Sequence, residues 1–150
     1  LDEKARGAFI GLSAMHGRED LIRAVMEGVS YSQRQCLDIL REMGVAPDHI
    51  MACGGGGRSP FWRQMLADVL GCTVQTAKAA QEGPALGAAI LAGVCAGVYP
   101  DVPTACDAIV HPDQSCAPNS GDSARYEPFY RLYTELYPAL RDSFSQLYDL

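Results

Sequence analysis

Basic residues are scarce in this sequence: Lys and Arg number 12 against 18 Asp and Glu, the net charge is -6, and no basic run occurs. A protein that neutralises many backbone phosphates needs such runs, so nucleic acid is not an expected partner. Long apolar runs are also missing. The longest, Ala85 to Tyr99, falls short of the roughly 20 residues of a membrane-spanning helix and is rich in Gly and Ala, so it reads as a buried soluble helix. Gly93 and Gly97 within it have GxxxG spacing, which close packing in a soluble core explains without lipid. There is no CxxC pair among Cys36, Cys53, Cys72, Cys95, Cys106 and Cys116, and several lie in apolar runs where a free thiol acts as a small core residue. That usage fits a reduced, cytoplasmic protein. His16, His49 and His111 lack ligand-like spacing to one another or to cysteine, so no metal site is expected. No signal-peptide pattern opens the chain. It starts Leu1-Asp2-Glu3-Lys4-Ala5-Arg6 without Met and enters an apolar segment at once, as expected of a piece of a longer protein.

The 150 residues suit one domain, 48% hydrophobic and 20% charged, which is ordinary soluble composition and excludes a disordered or fibrous class. Ala8 to Leu12 is a short apolar run that reads as a strand. From Asp20, the residues Leu21, Val25, Val29, Cys36, Ile39, Leu40 and Met43 recur at the spacing of an amphipathic helix, which Gly44 ends. His49 to Cys53 reads as a second strand running into Gly54-Gly55-Gly56-Gly57. Ser59 then has the chemistry of an N-cap and Pro60 of a first helical residue, and that helix runs through Trp62, Met65, Leu66 and Val69 to Gly71. Cys72 to Thr76 reads as a third strand, and Pro84 opens a helix of small residues lasting to about Gly97. The order βαβαβα predicts an α/β fold with a mostly parallel sheet. Asp101 to Val110 reads as a short helix and His111 to Ala124 as a loop. A last helix carries Phe129, Leu132, Tyr133, Leu136, Leu140, Phe144 and Leu147, with a kink expected at Pro138.

The glycine run carries the most information, because glycines after a strand let backbone approach a ligand closely while the next helix offers unpaired N–H groups. The same run also suits a tight strand-to-helix turn with no ligand. A phosphate-binding P-loop is excluded, since no Gly-Lys pair exists in the chain. A dinucleotide fingerprint would need glycine in place of Ser59 and an acid near Gln75 to Lys78, and has neither.

Wider context separates these readings. The stretch from Gly54 through Arg58-Ser59-Pro60-Phe61-Trp62-Arg63-Gln64 to Asp68 resembles the adenosine-binding segment of the FGGY carbohydrate kinase family. Gly7, Phe9, Gly11, Leu12, Asp20, Leu21, Ala24, Val25 and Glu27 are similar to that family's second signature, and Glu82 to Ala89 resembles the helix that follows. The resemblance covers essentially the whole chain. It implies the second lobe of a ribonuclease-H-like, actin-like ATPase fold, with ATP in the cleft between lobes.

On that resemblance Gly54, Gly55, Gly56, Gly57 and Ser59 are the expected nucleotide contacts, with Gly55 and Gly56 against the adenosine and Ser59 near the base. Ser59 competes with its own role as N-cap. Trp62 is expected to be a core anchor, Arg58 solvated, Glu82 a structural cap, and Asp20 and Glu27 helix stabilisers. The implied reaction passes the γ-phosphoryl group of ATP, with Mg²⁺, to a sugar hydroxyl, most simply on D-xylulose, with gluconate, ribulose and glycerol as alternatives. The catalytic carboxylate and the sugar site are expected in a first lobe absent from this sequence, leaving the chain inactive alone. With its upstream neighbours missing, the strand at Ala8 leaves a sheet edge open, so a homo-oligomer or association with the rest of the kinase is expected. A dinucleotide-dependent oxidoreductase and a non-catalytic interaction module of the same fold are the rival readings.

Overall fold

The structure, a computed structural model, describes residues 2–78 and 83–150. Its elements in chain order are α1 (Arg18–Glu42), β1 (His49–Met51), α2 (Gly54–Arg58), α3 (Pro60–Leu70), β2 (Thr73–Ala77), α4 (Gly83–Cys95), α5 (Val102–Ile109), β3 (Pro112–Cys116) and α6 (Ser120–Tyr148).

Several ends follow from local chemistry. The carboxylate of Asp20 accepts from the Gly17 amide at 2.9 Å, which starts α1. The α1 end is a paired backbone stop, with Gly44 N–H donating to the Arg41 carbonyl and Val45 N–H to that of Leu40. Ser59 caps α3 by accepting from the Trp62 amide at 3.3 Å, with Pro60 following it. Asp101 caps α5 in the same way, accepting from the Thr104 amide at 2.8 Å.

The sheet has the order β1-β2-β3, with β1 and β2 parallel and β2 and β3 antiparallel. It is therefore mixed, and two expectations change. Ala8 to Leu12 is irregular and exposed, with Phe9, Ile10 and Leu12 half open to solvent, because no described strand lies beside it to satisfy its backbone. The third strand is instead β3, inside the stretch expected to be a loop. Pro112 to Cys116 has no hydrophobic alternation; it is a strand because β2 offers an edge, with Val74 facing Cys116 and Gln75 facing Ser115.

Helix α3 is the centre of the molecule, and its residues from Met65 to Leu70 are all buried. One core cluster joins Leu66, Ala67 and Leu70 to Leu37, Cys72 and Val74. A second joins Met65 and Val69 to Tyr31 and Tyr130. Trp62 packs against both, so the expected core anchor is one.

Helix α1 turns a different face inward from the one its sequence stripe suggests. Ser30, Tyr31 and Leu37 are buried, whereas Val25, Val29, Ile39, Leu40 and Met43 are exposed. The buried residues are those that meet α3 and α6; no described element covers the stripe. Helix α6 runs through both Pro128 and Pro138, and buries Tyr130 and Phe144. No helix among the described residues is long and apolar enough to cross a membrane.

Candidate functional site

The parallel strands β1 and β2 end side by side, and the pairing continues one residue further, where the Ala52 amide donates to the Gln75 carbonyl at 2.8 Å. In open α/β sheets ligands bind at such carboxyl ends. Here the chain leaves β1 through Cys53 and enters the four glycines, which are a single helical turn rather than an extended loop.

The four glycines do different jobs. Gly54 has φ +70°, a conformation that admits the sharp reversal out of the strand and that side chains rarely adopt. Gly55 is exposed, and a Cβ built on it meets nothing within 4 Å. Gly56 lies under the Trp62 ring, whose carbons come within 3.4 Å of where its Cβ would be. Gly57 is buried, and a Cβ there would stand 2.8 Å from the Ala52 carbonyl oxygen, so only glycine allows the turn to press onto the end of β1. The five expected contacts are thus brought together, but Gly56, Gly57 and Ser59 are engaged by the protein itself. Open backbone is offered by Gly54 and Gly55. Ser59 Oγ is occupied as an acceptor by the Trp62 amide, which leaves the hydroxyl proton to donate elsewhere.

Beside the turn is a cavity of about 170 Å³ lined by Ala52, Gly54, Gly57, Arg58, Arg63, Thr76, Ala77, Asp113 and Gln114. It is smaller than the several hundred Å³ usual for a whole drug-sized ligand, so it takes part of a ligand and leaves the remainder outside. Arg58, expected to be solvated, is exposed and lines this cavity. Arg63 is buried, and its Nη1 donates to the Gly57 carbonyl at 2.6 Å while Nη2 donates to the side-chain oxygen of Gln114. Sequence reasoning missed both partners. Arg63 looks like any helical arginine until α3 is seen to be the core helix, and Gln114 sat in the segment expected to be a loop.

Other expected roles are local. Asp20 serves the start of α1, and Glu27 accepts from Arg23 Nε at 2.7 Å. Glu82 lies outside the described residues, but its neighbour Gly83 packs so closely on Cys53 that a Cβ would come within 3.0 Å of that residue's Cβ. Helix α4 therefore begins against the start of the glycine turn. Among the described residues no three His, Cys, Asp or Glu side chains converge on a point where a metal ion would sit.

Residues 1–96 match the C-terminal domain of the FGGY family of carbohydrate kinases. The chain belongs to that family. It is 37% identical over 148 residues to the xylulose kinase of Escherichia coli K12, covering 91% of this chain and 29% of that enzyme. The ligand-bound xylulose kinase of Lactobacillus acidophilus superposes with a TM-score of 0.85 at 31% identity, covering 97% of this chain and 29% of that one. The gluconate kinase of the same organism gives 0.84 at 32% identity over the same shares. The fold of this FGGY chain is accordingly the ribonuclease-H-like, actin-like one, and the chain spans about three tenths of the length of these relatives. A dinucleotide-dependent oxidoreductase does not fit this membership.

Proposed function

We propose that this chain is the adenosine-binding part of an ATP-dependent sugar kinase, and that the complete enzyme phosphorylates D-xylulose. The observation that carries the nucleotide reading is the division of labour in the glycine turn: Gly56 and Gly57 are held from within, and Gly54 and Gly55 present bare backbone at the carboxyl ends of β1 and β2. Bare backbone lets a flat ring approach without meeting side chains. The sugar reading rests on similarity to xylulose kinases, and the likeness to a gluconate kinase supports gluconate as the second acceptor.

Phosphoryl transfer requires a base for the sugar hydroxyl and charge stabilisation around the phosphates. This chain spans about three tenths of the length of its relatives, and the proposal puts the base and the sugar contacts in the rest of the enzyme. Mg²⁺ supplies charge neutralisation in this chemistry; no described cluster fits it. Alone, the chain turns over no sugar. Its exposed apolar stripe on α1 and the open edge of β1 suit association with the rest of the kinase or, in isolation, with copies of itself.

The test uses Trp62, the one tryptophan, whose ring lies on Gly56. ADP titration should change its fluorescence saturably. Gly55→Ala, which has open space for its methyl group, should keep the fold by circular dichroism and weaken ADP about tenfold or more, the cost of about one lost contact of 1.4 kcal/mol. No response in the unaltered chain, or full affinity in Gly55→Ala, would remove adenosine from this turn.

A further inference from the structure

Arg63 is 6% exposed, yet it takes part in none of the ion pairs among the described residues. Its Nε is buried without a hydrogen-bond partner. A buried guanidinium without a carboxylate is an expensive choice for a core helix, where Met or Leu packs at no electrostatic cost. Packing alone therefore does not explain the residue. What it does make are two bonds to different elements: Nη1 to the Gly57 carbonyl at 2.6 Å, and Nη2 to the Gln114 side chain on β3.

The first bond closes a gap in the glycine turn. A helix as short as α2 leaves its last carbonyls without intrahelical donors, and Arg63 supplies one to Gly57 with the strength of a charged donor. On its other side Gly57 already rests on the Ala52 carbonyl. The turn is therefore gripped from both sides, by the end of β1 and by α3, and the second bond ties that grip to β3. Lysine presents no planar fork able to reach two acceptors in fixed directions.

We propose that Arg63 is the positioning residue of the nucleotide site, its guanidinium fixing the glycine turn at the height where Gly54 and Gly55 meet adenosine. This rests on the nucleotide reading given above. Gln114 acts as the second anchor, so β3 has a part in the site although its backbone lies one strand away from β1.

The experiment compares the unaltered chain with Arg63→Met, Arg63→Lys and Gln114→Leu, by ADP titration and by acrylamide quenching of Trp62, at temperatures where circular dichroism shows each fully folded. Arg63→Met should weaken ADP at least about tenfold, the scale of one charge-assisted hydrogen bond, and raise quenching as the turn lifts from the indole. Arg63→Lys should lie between, and Gln114→Leu, which removes the acceptor of Nη2 and leaves the bond to Gly57, should weaken ADP by less than Arg63→Met does. Should Arg63→Met fail to fold, Arg63→Lys and Gln114→Leu carry the comparison, both expected to lose affinity without losing structure. Unchanged affinity and quenching in the folded Arg63 variants would overturn the proposal. If the unaltered chain itself ignores ADP, the nucleotide reading falls and the proposal with it, whereas ADP binding that the folded Arg63 variants leave intact overturns the positioning role alone.

Discussion

The indole Nε1 of Trp62 donates to the hydroxyl of Ser30 at 3.2 Å, joining the start of α3 to the middle of α1. Ser30 is fully buried, and its own proton goes to the Met26 carbonyl at 2.8 Å. The hydroxyl thus holds the ring that covers Gly56. Ser30→Ala should strand the indole N–H and cost about 1 kcal/mol or more, seen as a lower urea midpoint with unchanged slope. An unaltered midpoint would mean that the ring is held by packing alone.

What the sequence made legible was whatever is decided within a few residues. Ser59-Pro60 announced the start of α3, and Gly44 and Gly71 marked helix ends, because caps are set by local backbone chemistry. Strand β3 was invisible, since Pro112-Asp113-Gln114-Ser115-Cys116 is a strand only by virtue of β2 beside it. Ala8 to Leu12 failed in the opposite sense, with strand composition and no described strand beside it. In the candidate site the glycines were legible as a group, but not their division, which depends on Ala52, Trp62 and Arg63 reaching them in space.

The stripe on α1 has a consequence for the chain in solution. Ile22, Val25, Val29 and Leu40 are each at least 40% exposed on a helix of 25 residues, and among the described residues β1 has one edge without a partner strand. Apolar faces beside open edges associate. Sedimentation velocity should show assemblies larger than one chain, and the double variant Val25→Glu, Val29→Lys should shift them to monomer while leaving the melting temperature nearly unchanged, because both positions are on the surface. A monomer before any substitution would show that the exposed stripe drives nothing.

The aromatic cluster of Tyr31 with Tyr126, Tyr130 and Tyr133 offers a sharper test of burial. Tyr31 is 6% exposed and its hydroxyl has no hydrogen-bond partner, whereas that of Tyr130 donates to Asp38 Oδ2 at 2.6 Å. Burial, with the nearby Glu27 charge, pushes the Tyr31 phenol well above its usual value. A folded-state pKa raised in this way gives stability that is complete below the unfolded phenol's value of about 10 and is lost as the pH climbs through the folded value. Removing the hydroxyl should therefore act twice. At neutral pH, Tyr31→Phe keeps the ring contacts and discards an unpaired buried group, raising stability by about 1 kcal/mol in urea unfolding. Above about pH 10, its stability should decline less steeply than that of the unaltered chain, with the remaining slope owed in part to Tyr130, whose phenol burial and Asp38 push the same way. Equal alkaline slopes in the two proteins would show that the Tyr31 hydroxyl reaches water in solution.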